Sequence, residues 1–381
     1  VPDQRRVVAQ LNAPTQNVTV PIINVDIRLC TGKHSLAIVT TQQTYKAAPL
    51  LSQGAPVWMT WGRSPSATTV WYGYVNHYEV VSDDRSSLPQ VVYVLIGTSV
   101  SMNNETSEGW QGITDSYIVR EIATRNNASS IVHATNQVWT YVAQQGSDFT
   151  FINELGQQDG RRVWADNCVV YYLDPLSLLQ TPLGATIPSF AMDGRKNDGI
   201  LKFNLVQGSA VPATGVQATR TAYGIDPSGN LLSARASSSA ATLTKNYMPR
   251  PLGSYTDATN ALMAAQRVNS GWVSASAQVL GDVRLQPGQV VYLSGRMLDA
   301  DSTGLWLIDS AEHSLQPTGT VYTSNVTGFT TKLSLTRNQQ GAQVFSDVIP
   351  VTRKANLVPP TLTNDGLWRA GVLEGTIYGP R

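Results

Sequence analysis

Four histidines, two cysteines and scattered carboxylates are the side chains here that could do chemistry, and their spacing matches no reactive constellation. His34, His77, His133 and His313 are at least 43 residues apart, whereas one strand or helix that offers two imidazoles to a metal places them within a turn. His77 and His313 read as strand residues with satisfied hydrogen bonds. Cys30 and Cys168 are too few for a disulfide framework and too distant for a zinc site, so they read as reduced core residues of a protein assembled in cytoplasm. No Gly-x-Ser-x-Gly elbow is present, and Gly32-Lys33 lacks the upstream glycine of a phosphate loop. Asp299-Ala-Asp-Ser-Thr-Gly304 opens like a calcium loop, but Ser310 stands where the bidentate glutamate belongs, which leaves a hairpin turn. Asp83-Asp84 lies in a polar loop with no cleft to face. The chain therefore reads as a non-enzyme with no catalytic group, no metal and no cofactor.

Composition points instead to assembly. Of 381 residues only 14% are charged, against roughly 25% in ordinary soluble domains. Arg outnumbers Lys by 20 to 7, and Tyr with Trp total 24 against 6 Phe. Protein interfaces favour these residues, because guanidinium is weakly hydrated and forks onto carboxylates, while a ring with a polar tip suits a partly wet contact. A net charge of +1 excludes a polycation that binds nucleic acid along its whole length, and 42% hydrophobic residues exclude disorder. The charge is uneven: residues 1–190 carry −3 and residues 191–381 carry +4. The longest apolar run, 91–96, is a strand's length and far below the roughly 20 residues of a membrane helix. No apolar leader follows Asp3, Arg5 and Arg6, so neither a signal peptide nor membrane insertion is expected.

The elements that must build this surface are mainly β. Residues 1–108 hold apolar, β-branched and alternating stretches and are expected to form a first barrel. From 109 to 185 the pattern becomes α+β. Thr114 is placed to cap a helix carrying Ile118, Val119 and Ile122, and Ser147 to cap one carrying Phe149, Ile152 and Leu155, which stops at Gly160. Asp166-Asn167 reads as a tight hairpin. Residues 186–340 return to β, with a Gly/Ser/Ala-rich excursion at about 206–255 that looks mostly like loop, and Thr256 is placed to cap a further helix. Residues 341–381 form a C-terminal extension with little periodicity.

The two β regions echo each other. Gly54-Ala-Pro-Val-Trp-Met-Thr-Trp-Gly62-Arg63 parallels Gly288-Gln-Val-Val-Tyr-Leu-Ser-Gly295-Arg296. Each is followed by a strand with a tryptophan and then a histidine: Trp71 and His77 in one, Trp306 and His313 in the other. The order predicts a duplicated β-domain in which Gly62, Trp71 and His77 match Gly295, Trp306 and His313.

Three stretches also resemble a family. They are Val92-Tyr-Val-Leu-Ile-Gly-Thr98 with Trp110 and Tyr117-Ile-Val-Arg-Glu-Ile-Ala123; Phe149 through Gly160-Arg-Arg-Val-Trp-Ala-Asp-Asn-Cys-Val-Val-Tyr-Tyr-Leu-Asp-Pro175; and Leu285-Gln-Pro-Gly288 through Trp306, His313 and Arg337. The layout is similar to the baseplate or tail-tip hub (late-control) proteins of tailed bacteriophages, in the long-tailed version, over roughly 90–340. The resemblance implies two tube-type antiparallel β-barrels separated by a small α+β domain, and a homotrimer whose six barrels form a pseudo-sixfold ring. Such a ring adapts a hexameric tail tube to a threefold tip around the DNA channel. The implied partners are a distal tail or tail-tube ring protein, the tape measure protein, tip, spike or fibre proteins, and DNA in passage; the implied place is the virion tail tip.

Two further expectations concern surfaces. Residues 195–250 carry seven basic and two acidic side chains, and Arg195, Arg220, Arg235 and Arg250 are expected at inter-subunit contacts rather than along a channel that must let DNA slide. Trp58 and Trp61 are assigned to subunit contacts as well. The competing reading is a carbohydrate-binding or adhesin module that uses Trp58, Trp61 and Trp71 as sugar platforms.

Overall fold

The computed structural model describes residues 6–16, 18–20, 22–42, 51–64, 67–81, 90–135, 138–139, 141–180, 186–194, 199–207, 218–225, 231–235, 242–247, 273–300, 302–317, 328–337 and 358–371. The helix expected after Thr256 lies outside these residues. The chain is mainly β. Its first strands are β1 (Arg6–Ala13), β2 (Val18–Val20), β3 (Ile22–Cys30), β4 (Leu36–Gln42), β5 (Pro56–Ser64), β6 (Ala67–Val81) and β7 (Gln90–Gly97). In β7 the period-two pattern is explicit: Val91, Tyr93 and Leu95 are buried and the residues between them are half-buried. A second series comprises β15 (Ser189–Ala191), β16 (Ile200–Gln207), β20 (Val273–Leu280), β21 (Val290–Ser294), β22 (Gly304–Leu315) and β23 (Phe329–Arg337). Both series belong to one 13-stranded sheet.

Within that sheet one pairing scheme occurs twice. The order β3-β4-β7-β6-β5 corresponds to β16-β20-β23-β22-β21, and every neighbouring pair within each set is antiparallel. The irregularities repeat as well. A bulge between Ile22 and Asn24 is matched by one between Ile200 and Lys202, and a bulge between Val75 and His77 by one between Ile308 and Ser310. Gly54 (φ 79°) donates to Val75 O and Val75 donates to Ala55 O; Gly288 (φ 76°) donates to Ile308 O and Ile308 donates to Gln289 O. Gly62 and Gly295 share a φ near 130°, at 131° and 129°, but the register that matches Met59 to Leu293 sets them one position apart, which corrects their match. Each set has its own buried cluster, one around Trp71, Tyr93 and Met59, the other around Trp306, Leu293 and Leu335.

The pairing corrects the residue correspondence read from the sequence. Val75 matches Ile308, so Trp71 matches Gly304, and Gly73 matches Trp306. The tryptophans sit on corresponding strands but two positions out of register. The Trp71 ring lies where a Cβ on Gly73 would be. The strands thus carry Trp-x-Gly and Gly-x-Trp on the same face. His77 matches Ser310 and His313 matches Val80, three positions apart; His77 is exposed, whereas His313 is fully buried.

Between the two series lie β8 (Glu108–Trp110), β9 (Ile113–Thr114), α1 (Asp115–Arg125), β10 (Ser129–Val132), β11 (Val138–Trp139), β12 (Val142–Gln144), α2 (Asp148–Asp159), β13 (Arg162–Asp166), β14 (Val169–Leu173) and α3 (Pro175–Gln180). Thr114 and Ser147 cap α1 and α2 by accepting from Tyr117 N and Thr150 N, and α2 stops at left-handed Gly160 (φ 68°). Both helices bury the apolar faces expected of them against the sheet β10-β14-β13. The hairpin turn falls at Asn167-Cys168 (φ 49° and 58°), one residue later than the sequence reading, because asparagine tolerates the left-handed region.

Two pieces depart from expectation. Part of the 206–255 excursion is sheet: β17 (Ala218–Ile225) pairs with β18 (Leu231–Arg235) and β19 (Thr242–Tyr247). Part of the C-terminal extension is a hairpin, β24 (Thr361–Leu362) with β25 (Trp368–Arg369). Trp368 N donates to Tyr74 Oη, its Nε1 donates to Gly73 O, and Ala370 N donates to Asn127 O, so the hairpin straps β6 to the end of α1.

The repeated turns make a paired prediction. Gly54→Ala meets open space and carries only the left-handed penalty, about 1–2 kcal/mol. Gly288→Ala carries that penalty and drives a methyl into the Trp164 ring, which is stacked on Tyr171, adding about 1–3 kcal/mol of overpacking. Denaturant unfolding of the two variants is expected to rank Gly288→Ala well below Gly54→Ala.

Candidate functional site

The surface that could act is built from sheet edges. At the centre of the molecule β22 changes partner. Its first half, Gly304–Leu307, pairs with β21, and its second half, Ser310–Leu315, pairs with β3. The bulge at Asp309 lies between the two pairings. This seam between the two strand sets is sealed: Ala311, His313 and Leu315 face Leu29, Ile27 and Val25, and Leu29 at 4% is the most exposed of the six. The opposite face carries Arg28–Glu312 at 2.9 Å, Lys332 near Glu312 at 3.8 Å, and a bond from Ser314 to Asp26.

Trp61 closes the seam from β5. Its ring is 4.7 Å from His313 and 6.0 Å from Phe329, and it is 1% exposed. That corrects its assignment: Trp61 joins the two halves of one chain and has no face for a partner. Trp58 is half-buried against Tyr72 and Trp368. Trp71 is 2% exposed and donates to Ser35 Oγ. A sugar platform needs an open ring face, and two of the three tryptophans proposed for one have none. Arg220 and Arg235 lie on the adjacent strands β17 and β18; Arg195 and Arg250 lie outside the described residues.

The titratable groups are structural. His313 is held by Thr331 Oγ1 at Nδ1 (3.0 Å) and Leu285 O at Nε2 (2.9 Å), and burial pushes its pKa down to about 4. Burial raises the Cys30 thiol and pushes Cys168 up to about 12, so neither is a ready nucleophile. Asp309 pairs with Arg162 at 2.8 Å and tethers β13 to the bulge; its carboxyl is raised by burial, which outweighs the neighbouring guanidinium. Among the described residues no group of three or more His, Cys, Asp or Glu is placed to hold a metal, and no helix is long and apolar enough to cross a membrane. The sequence reading missed Arg337, buried with its guanidinium 4.1 Å above the Trp306 ring and bonded to Thr303 O; no motif marks a buried arginine.

Two of the sheet's unpaired edges, among the described residues, carry exposed apolar side chains. One is His77–Val81 of β6, on the side that β5 leaves after Tyr74; the other is the outer edge of β16. Large apolar side chains are exposed along both: Tyr78 at 40%, Val80 at 36% and Val81 at 44% on β6, Leu201 at 46% and Val206 at 50% on β16.

No family model matches the chain, and no curated protein matches its sequence. Solved structures do match. The 43 kDa tail protein of prophage MuSo2 from Shewanella oneidensis has a TM-score of 0.61 at 12% identity, over 87% of this chain and 98% of that one. A tail protein from Neisseria meningitidis has a TM-score of 0.61 at 9% identity, over 87% and 97%. An Escherichia coli type VI secretion component, described as structurally similar to the T4 bacteriophage tail proteins gp27 and gp5, has a TM-score of 0.57 at 12% identity, over 89% and 80%. The chain has the fold of these tail proteins.

The buried histidine yields a pH prediction. Its folded pKa lies below the ordinary 6.5, so the unfolded chain binds the proton more readily than the folded one. The stabilisation is complete above about pH 6.5 and is lost as pH falls toward about 4, by roughly 3 kcal/mol. Denaturant titrations of the wild type and His313→Gln at several pH values are expected to show the stability gap shrinking over that window. A gap independent of pH would contradict it.

Proposed function

We propose that this protein is the structural hub of a phage tail tip. Three copies close into a ring, and their six strand sets give it pseudo-sixfold symmetry, each set forming one tube-type barrel. The observation that carries this reading is the repetition inside one chain of the same five-strand scheme, with its bulges and glycine turns, in one continuous sheet. A ring of three such chains meets a hexameric tail tube on one side and a threefold tip on the other. Rings of this kind close through heterologous contacts. The fold shared with phage tail proteins supports the same reading.

The ring surrounds a channel for the tape measure protein and then DNA. Its neighbours are a distal tail or tail-tube ring protein above and tip, spike or fibre proteins below. It works as a scaffold, without catalysis or cofactor, in the virion. The insertion from β8 to α3 and the small sheet β17–β19 stay threefold. Arg195, Arg220, Arg235 and Arg250 lie at contacts between chains. A sugar-binding module is disfavoured by the burial of Trp61 and Trp71.

Sedimentation of the purified chain over a range of concentrations, with imaging of assembled tails, is expected to show three copies in a closed ring. A chain that stays monomeric in concentrated solution and occurs once per particle would end this reading.

A further inference from the structure

We infer that the two open edges are the two halves of one intersubunit strand pairing, with a fixed register. The β6 edge His77–Val81 of one chain adds to the outer edge of β16 in the next. The inference rests on the ring reading and names the surface that would close the ring.

The chain contains the template. By the repeated pairing, β6 corresponds to β22 and β16 to β3, and β22 pairs with β3 at the internal seam. Tyr78, Glu79, Val80 and Val81 correspond to Ala311, Glu312, His313 and Ser314. Gln207, Val206, Leu205 and Asn204 correspond to Leu29, Arg28, Ile27 and Asp26, by way of the shared pairing with β4 and β20. The seam register Ala311↔Leu29, Glu312↔Arg28, His313↔Ile27 and Ser314↔Asp26 then specifies Tyr78↔Gln207, Glu79↔Val206, Val80↔Leu205 and Val81↔Asn204 across two chains.

Among the described residues nothing covers these edges. Ala311 and His313, which stand opposite Leu29 and Ile27 of β3, are 1% and 0% exposed; their counterparts Tyr78 and Val80, with no strand opposite them among the described residues, are at 40% and 36%. Val25 and Ile27 are at 0%, while their counterparts Phe203 and Leu205 are only partly buried. An uncovered strand with apolar side chains also leaves a row of N–H and C=O groups open to pairing. A second copy is the occupant, because each edge has the geometry that its counterpart already joins inside the chain.

The chemistry of the two seams differs. Inside the chain Glu312 meets Arg28 as an ion pair. Between chains Glu79 faces Val206, and Val81 stands diagonal to Val206 on the same face, so apolar contact replaces the ion pair. The wrong assembly, β3 of one chain invading β6 of another, would have to break a sealed seam.

The test is a disulfide trap. Directly opposed antiparallel residues have Cα atoms about 4.5–5.5 Å apart, within disulfide reach. Both Glu79 and Val206 are exposed. Glu79→Cys with Val206→Cys in one chain is expected to give a covalent trimer on mild oxidation, while either single variant stays uncrosslinked. Glu79→Cys with Lys202→Cys, four residues or about 14 Å out of register, is expected to lose the crosslink at least tenfold. If the protein sediments as a trimer but the opposed pair crosslinks no better than the offset pair, the edge pairing is wrong and the ring reading stands. Covalent dimers from Glu79→Cys alone would mean β6 pairs with itself and would also overturn it. A chain monomeric at every concentration, with no crosslink, removes both.

Discussion

Every backbone N–H and C=O in a sheet needs a partner, and a strand has only two edges on which to find them. The structure depends on how β22 divides one of those edges. Its first residues serve β21 and its last serve β3, and the extra residue at Asp309 lets the strand bend from one partner to the other. Without that division the two strand sets would be separate sheets with separate cores. With it, Leu315 and Phe329 of the second set join the cluster that holds Trp71 of the first.

The insertion holds this junction in place. Arg162 reaches Asp309 at the bulge, Gly32 N donates to Val163 O just past the end of β3, and Asn167 at the hairpin tip accepts from Tyr72 N and donates to Val70 O on β6. Trp164 and Tyr171 stack together and pack with Val290, Leu305 and Leu307. One small unit thus touches both strand sets through backbone or buried contacts. The angle between them is fixed by hydrogen bonds whose loss would leave buried groups unpaired.

Much of this was legible in the sequence, for identifiable reasons. Thr114, Ser147 and Gly160 mark helix ends because capping chemistry is local, and Gly54 and Gly288 mark turns because few other residues accept their φ. The register of the repeat was not legible. A tryptophan two positions along the same face looks alike in sequence, so side-chain identity misleads where backbone pairing does not. Trp61 was misplaced because an aromatic rich in contact area looks the same in sequence whether its partner is another chain or the other half of its own. The hairpin that carries Trp368 had a local signal in Asn364-Asp365-Gly366, a turn sequence between Thr363 and Leu367, but its two-residue strands are too short to show a period.

The exchange of Trp71-x-Gly73 for Gly304-x-Trp306 has a consequence for how such a chain can change. Each half buries one indole, carried at opposite ends of the same three-residue window. Recombination between the halves would yield either two indoles or two glycines in one window. Changing one position at a time passes through the same two states, each costly in a close-packed interior. The halves share one pairing scheme but are not interchangeable. That mismatch works as a ratchet: once the two windows differ in this way, packing closes off an exchange between the halves.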